Sequence, residues 1–171
     1  MHHLNELHFR EDPCPSDVRR VRDIVLSSDF FSRDETDVAM ELVEERLQKG
    51  VTSGYHFLFA EKEDVVLGYA CFGPIPGTVG SFDLYWIAVD NRLMGSGLGR
   101  EILERVERKI MVFGGKKVYV ETSSRPQYGP TRSFYRKRGY RREALLRDFY
   151  APDDHKMILV KDLYSGTRGK G

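Results

Sequence analysis

Residues 85–100 constrain the fold most. The apolar run Tyr85-Trp86-Ile87-Ala88-Val89 gives way to the turn Asp90-Asn91-Arg92-Leu93-Met94. Gly95-Ser96-Gly97-Leu98-Gly99-Arg100 follows and opens a long amphipathic pattern. A strand must therefore pass into a helix through a glycine-rich loop. Glycines let a backbone approach a ligand closely and turn bare N–H groups toward it. The first turn of a helix adds unpaired donors and the positive end of its dipole. Together these make an anion site, most simply for phosphate.

The patterns on either side alternate between strand and helix periods. Residues 7–10 predict a short strand, ended by Pro13 and Pro15. Ser16 is the expected cap of a helix to about Ser27, with Val18, Val21 and Val25 at helical spacing. Ser32 and Glu35 fit a capping box for a second helix, whose stripe is Val38, Ala39, Leu42, Val43 and Leu47 and whose stop is Gly50. Residues 55–61 and 65–72 predict two strands joined by Lys62-Glu63-Asp64, and residues 82–89 a central strand. A helix over residues 98–113 aligns Leu98, Ile102, Leu103, Val106 and Ile110, with Glu101–Arg105 and Glu104–Arg108 as i,i+4 ion pairs and Gly114-Gly115 as its stop. A strand over 117–122, a short helix from Thr131 to about Arg138 ended by Gly139, and a hairpin of residues 140–150 and 155–160 around Pro152-Asp153-Asp154 complete the pattern. The order β, α, α, β, β, β, α, β, α, β, β predicts an α/β (α+β) chain on one central sheet.

Composition narrows the function classes. A net charge of +1 argues against a nucleic-acid binder driven by a strong global field. Cys14 and Cys71 form no metal spacing and no disulfide framework, so reduced thiols and no bound metal are expected. No apolar run approaches the roughly 20 residues that cross a bilayer, and residues 1–12 hold no signal-peptide core, so the expectation is a cytoplasmic protein without membrane partners. One domain over residues 1–164 and a disordered tail over 165–171 are expected. His2-His3 reads as a mobile terminus and His56 as structural. A homodimer is left open.

Three phosphate-loop chemistries compete. A P-loop needs Lys-Ser/Thr after its last glycine, and Arg100-Glu101 stands there. A dinucleotide fingerprint needs a third glycine at position 100 and a loop close behind its strand, although Glu121 lies where a ribose-binding acid would. The third is a pyrophosphate loop for coenzyme A. Ile87-Ala88-Val89-Asp90, the glycine loop, Val118-Tyr119-Val120-Glu121 and Ser133-Phe134-Tyr135-Arg136-Lys137-Arg138-Gly139-Tyr140 follow one another in the order of the GNAT acetyltransferase superfamily, which the sequence resembles from about residue 82 to 160. One departure stands out. With the strand fixed by Val89, the family's Gln/Arg falls on Met94, and Arg92 supplies a basic group only in a register shifted by two.

The resemblance implies a mixed, mostly antiparallel sheet of about six or seven strands flanked by about four helices. It implies an N-acetyltransferase with acetyl-CoA as donor. The backbone of Ile87, Ala88 and Val89 would pair with the pantetheine arm. The N–H groups from Gly95 through Ser96, Gly97, Leu98 and Gly99 to Arg100 would cradle the diphosphate, with Met94 beside them. Tyr135 holds the position of the family's general acid; a phenol stays protonated at pH 7 and can donate to a departing thiolate. Glu121 resembles in position the glutamate of ribosomal-protein alanine acetyltransferases, and Asp83 that of histone-type enzymes; either is a candidate base. A backbone N–H near Val89 is the candidate oxyanion donor. Thr131 and Arg132 open the helix carrying Tyr135 and are candidate coenzyme contacts, with a plain cap as the other reading of Thr131. No cysteine lies in these segments, so direct attack in a ternary complex is expected rather than an acetyl-cysteine intermediate.

The acceptor, a primary amine of a small molecule or a polypeptide, is less specified. Phe30, Phe31, Tyr128, Phe149 and Tyr150 are candidate lining residues, and Asp148, Asp153 and Asp154 would favour a cation. A non-catalytic acyl-CoA-binding module with the same loop is the alternative.

Overall fold

The computed structural model describes residues 6–164, so the expectations for His2-His3 and for the tail over 165–171 lie outside the described residues. Among these, seven strands and four α-helices follow the expected order: β1 (His8–Arg10), α1 (Pro15–Ser27), α2 (Arg33–Lys49), β2 (His56–Lys62), β3 (Val65–Pro74), β4 (Ser81–Val89), α3 (Leu98–Val112), β5 (Lys117–Ser123), α4 (Gly129–Arg136), β6 (Arg141–Ala151) and β7 (Asp154–Asp162). The strands lie in the order β1-β2-β3-β4-β5-β7-β6. β1–β2, β2–β3, β5–β7 and β6–β7 are antiparallel, and β4–β5 is parallel. The expected fold class, a mixed and mostly antiparallel sheet with about four helices, is the one observed. The chain packs as two compact units. One runs up to Gly73 and includes Leu84–Lys109; the other joins Pro74–Asp83 to the residues from Ile110 on.

In the first unit, α1 starts one turn-fraction earlier than its serine suggested. Cys14 is the N-cap and Pro15 takes the first turn, where a missing N–H costs nothing. The cap is completed from inside the helix, because Asp17 accepts the Cys14 N–H at 2.7 Å and receives two guanidinium bonds from Arg10 at 2.8 and 2.9 Å. Ser16 is therefore helical rather than capping. In α2 the expected box is present: Glu35 N–H donates to Ser32 Oγ at 3.2 Å and Ser32 N–H to Glu35 Oε2 at 2.8 Å. The stripe is narrower than expected. Thr36, Ala39 and Val43 are buried, while Val38 lies outside that face and Leu47, on the same face but in the last turn, is exposed. Thr36 shares the face of Ala39 and Val43 and is tolerated there because its hydroxyl donates to Ser32 O at 2.9 Å. The core joins Val21, Ile24 and Val25 of α1 to Ala39 and Val43 of α2 and to Phe57, Phe59, Tyr69 and Cys71 of β2 and β3. Glu63 and Asp64 turn the β2–β3 hairpin with φ of 49° and 61°, the pair of positive values a tight twisted hairpin needs.

In α3, Glu101 bonds Arg105 Nε at 2.6 Å as expected, whereas Glu104 faces back to Arg100 at 3.9 Å instead of forward to Arg108. In the second unit the end of α3 is a Schellman motif: Gly114 N–H donates to Met111 O at 2.9 Å and Gly115 N–H to Ile110 O at 2.8 Å. Gly114 supplies the positive φ of 81° that this stop requires. α4 begins two residues before Thr131. Tyr128 is its N-cap and Pro130 occupies its first turn, so Thr131 is interior and does not cap.

Candidate active site

The anion loop lies wholly in the first unit. β4 ends at Val89, and Asp90 N–H closes onto Leu67 O at 2.8 Å. The Asp90 carboxylate then gathers two guanidiniums. Arg92 donates through Nε and Nη2, both at 2.9 Å, and Arg20 through Nη2 at 2.9 Å. These bonds, those from Arg92 first, hold the Asp90 carboxyl well below the usual range despite its burial. Arg20 also donates from Nε to Val66 O at 2.7 Å, so one side chain of α1 ties β3 to the entry of the loop. Nothing in the local pattern around Arg20 pointed to this role; only the fold brings residues 20 and 90 together.

A short 3₁₀ turn, Asn91–Leu93, leads to Met94 and then to Gly95 and Gly97, with φ of 77° and 93°. Met94 is 63% exposed, and the Arg92 side chain, although clamped to Asp90, is 79% exposed. Six residues were expected to form the cradle, and their amides divide. Ser96 N–H turns back to Leu93 O at 3.1 Å, and Leu98 N–H takes Ser96 Oγ at 3.3 Å. The Leu98 side chain is fully buried. Gly95, Gly97, Gly99 and Arg100 N–H have no hydrogen-bond partner among the described residues. Four open donors at the head of a 15-residue helix are a nest for an anion. Ile87, Ala88 and Val89 form the last turn-free stretch of β4, with Ala88 buried.

The second unit holds the groups expected to handle protons. β4 and β5 pair with Asp83 opposite Tyr119, so Asp83, Tyr119 and Glu121 share one face of the sheet while Phe82, Val118 and Val120 are buried on the other. Desolvation first, and the nearby charge of Glu121 second, push the Asp83 carboxyl up. Glu121 is 52% exposed and meets Lys156 Nζ at 2.7 Å. Tyr135 on α4 is 3% exposed, with Phe134 and Tyr140 edge-on at 5.2 Å each. Burial alone pushes its phenol up, so it keeps its proton through the neutral range. Arg132 Nη1 bonds Ser123 O at 2.7 Å and Arg125 O at 2.9 Å, which places it on the loop after β5.

The acidic residues near the β6–β7 turn are largely engaged with the protein itself. Asp154 is buried; it accepts from the Ser123 hydroxyl and pairs with Arg125 Nε at 3.3 Å. Asp148 accepts Asp153 N–H at 2.9 Å, while its own N–H goes to His155 Nδ1 at 2.9 Å. Phe149 and Tyr150 are half-exposed, with Lys156 Nζ 3.8 and 5.8 Å from their ring centres. In the first unit Phe31 packs edge-on against Trp86 at 4.7 Å, a core contact, and Phe30 lies outside it. Lys156 carried no signal in the sequence, because a lysine in a β-hairpin reads as an ordinary solvated charge.

This fold and loop define a class, and comparison with known proteins agrees with it. A model of the acetyltransferase (GNAT) domain matches residues 53–142. A crystal structure described as a GNAT-family acetyltransferase from Desulfovibrio desulfuricans is 44% identical, with a TM-score of 0.88 over 92% of this chain and 99% of that one. The ribosomal-protein-S18-alanine N-acetyltransferase of Escherichia coli shares the fold at 15% identity, with a TM-score of 0.71 over 96% of this chain and 99% of that one. So does the PaiA N-acetyltransferase of Thermoplasma acidophilum, solved with coenzyme A, at 15% identity and a TM-score of 0.70 over 92% and 99%. No curated protein matches. The chain belongs to the GNAT family of acetyltransferases. Among the described residues no helix is long and apolar enough to cross a membrane.

Proposed function

We propose that this protein transfers an acetyl group from acetyl-CoA to a primary amine by direct attack in a ternary complex. The observation that carries the reading is the set of four unpartnered amides, Gly95, Gly97, Gly99 and Arg100, at the head of α3. A diphosphate offers the spread of acceptor oxygens that such a nest takes up. Arg92 adds an exposed cation one step upstream, and Met94 adds only apolar surface. Ile87, Ala88 and Val89 lie beyond the short β4–β5 ladder that ends at Asp83, and their backbone supplies the edge for the pantetheine amides and the N–H for the oxyanion.

In the reaction the amine nitrogen bonds to the thioester carbon, the C–S bond breaks, the sulfur leaves with the proton of the Tyr135 phenol, and the second proton shed by the nitrogen restores the phenol. Before the attack the acceptor ammonium has given its first proton to a carboxylate, which later releases it to water. Glu121 takes that proton; Asp83, its neighbour on the same face, is the second carboxylate able to do so. Thr131 and Arg132, in the first turns of α4, are the further coenzyme contacts, and the bonds of Arg132 to Ser123 O and Arg125 O brace the loop beside them. The fold of distant acetyltransferases solved with coenzyme A supports the donor.

Calorimetric titration with acetyl-CoA and with coenzyme A tests the loop, and thiol release across a panel of primary amines tests the transfer. Both coenzyme forms are expected to give heat, and no heat from either would end the reading. Tyr135→Phe is expected to lower kcat by about 10²–10⁴ while coenzyme affinity stays within twofold, about the range positioned acids contribute. Undiminished turnover would remove Tyr135 from the mechanism.

A further inference from the structure

Lys156 of β7 is shielded to a degree uncommon for a lysine. It points from β7 onto the face shared by Asp83 and Glu121, and its side chain is only 13% exposed. Its ammonium sits 2.7 Å from Glu121 Oε2, 3.8 Å above the Phe149 ring and 5.8 Å from the Tyr150 ring. A carboxylate on one side and aromatic faces on the other are what a desolvated alkylammonium needs: one charge-assisted hydrogen bond and the negative faces of the rings. The two rings belong to the segment between Leu146 and Ala151, where β6 breaks its regular pairing with β7. They are half-exposed and packed edge-on at 5.0 Å.

We propose that Glu121, Phe149 and Tyr150 form the subsite for the acceptor's primary alkylammonium, and that Lys156 fills it in the free protein as an internal stand-in. This deepens the acetyltransferase reading and rests on it. The exchange is neutral in charge, one ammonium replacing another on the same carboxylate, and the lysine's four-carbon stem carries its own head back to water. The incoming group must then match the occupant: an unbranched carbon stem ending in –NH₃⁺, which donates to Glu121 as a quaternary ammonium does not. Seated there, the substrate's nitrogen lies against the carboxylate proposed to take its proton. The phenyl face of Phe149 rejects an anionic acceptor at the same point.

n-Butylammonium is the probe, with n-butanol and tetramethylammonium as controls. In the unmodified protein, a brief pulse of an amine-acylating reagent read by mass spectrometry should label Lys156 weakly, normalised to the other lysines. Saturating n-butylammonium should raise that ratio several-fold, and neither control should. In calorimetry, Lys156→Met should bind n-butylammonium about tenfold tighter than the unmodified protein, since a site nine-tenths occupied from within loses that factor in apparent affinity. Lys156→Arg should stay within twofold of the unmodified protein. Unchanged labelling of Lys156 with butylammonium, an equal rise with butanol, or equal affinity in the Met and Arg variants would each overturn the proposal. Coenzyme titration of the same samples reads the acetyltransferase function separately, because neither amine measurement requires coenzyme.

Discussion

Replacing Asp90 by Asn tests whether the loop entry is held by charge. In the folded protein the Asp90 carboxylate is buried and accepts from the guanidiniums of Arg20 and Arg92 and from Arg92 N–H. The Arg92 side is open to water, so its ion pair is screened and adds nothing to the count. The Arg20 bond is mostly shielded and charge-assisted, and Arg20 is fixed independently by Val66 O. Losing the charge while keeping one amide oxygen as acceptor should cost about 1.5–3 kcal/mol, the range for hydrogen bonds to charged groups. The sign of the pH dependence follows from the depressed carboxyl. Its contribution is complete above the unfolded value of about 4 and is lost as pH falls toward the folded value. The stability gap between the unmodified protein and Asp90→Asn should therefore be full at pH 7, begin to close below about pH 4, and shrink steadily with further acid. Urea unfolding at a series of pH values reads it as a shift in midpoint at constant slope. A gap under about 0.5 kcal/mol at pH 7, or one that widens in acid, would refute the argument.

Other perturbations separate the framework from the site. Tyr69 is fully buried and its hydroxyl has no partner, so Tyr69→Phe should leave stability unchanged or raise it by about 1 kcal/mol, read by thermal melting; a clear loss would show a hidden hydrogen bond. Gly97→Ala meets nothing within 4 Å, so its whole cost is backbone, about 1–2 kcal/mol for a left-handed residue. That cost should appear as roughly tenfold weaker coenzyme binding, and unaltered affinity with unaltered stability would contradict the left-handed backbone at Gly97. Cys71 is buried with its thiol pushed up by desolvation, whereas Cys14 is exposed, so a thiol reagent on the native protein should modify Cys14 alone until urea unfolds the chain.

What the sequence made legible has a physical pattern. Elements set by short-range chemistry came through: the Ser32–Glu35 box, the Gly114 stop, the charged turn between β2 and β3 and the strand–loop–helix passage into α3 all lie within a few residues of their causes. Where a distant group competed, local reading erred. Ser16 lost the capping role because Asp17, braced by Arg10 from β1, served Cys14 from within the helix. Val38 falls about two residues out of phase with the buried face, which holds Thr36 with its hydroxyl satisfied by Ser32 O. The same division runs through the site. The glycine nest was visible because its donors and its backbone angles are consecutive in sequence. The partners of Asp90 and Glu121, 70 and 35 residues away, were not, since an isolated Arg20 or Lys156 carries no mark of the carboxylate that will claim it. This explains why the sequence points to the donor half of an acetyl transfer more sharply than to the acceptor half. Diphosphate recognition is written in contiguous main-chain amides, whereas the amine is recognised by side chains that only the β5–β7–β6 pairing assembles. If that is right, exchanging Phe149 and Lys156 for the residues of a relative should move amine preference while leaving coenzyme affinity where it was.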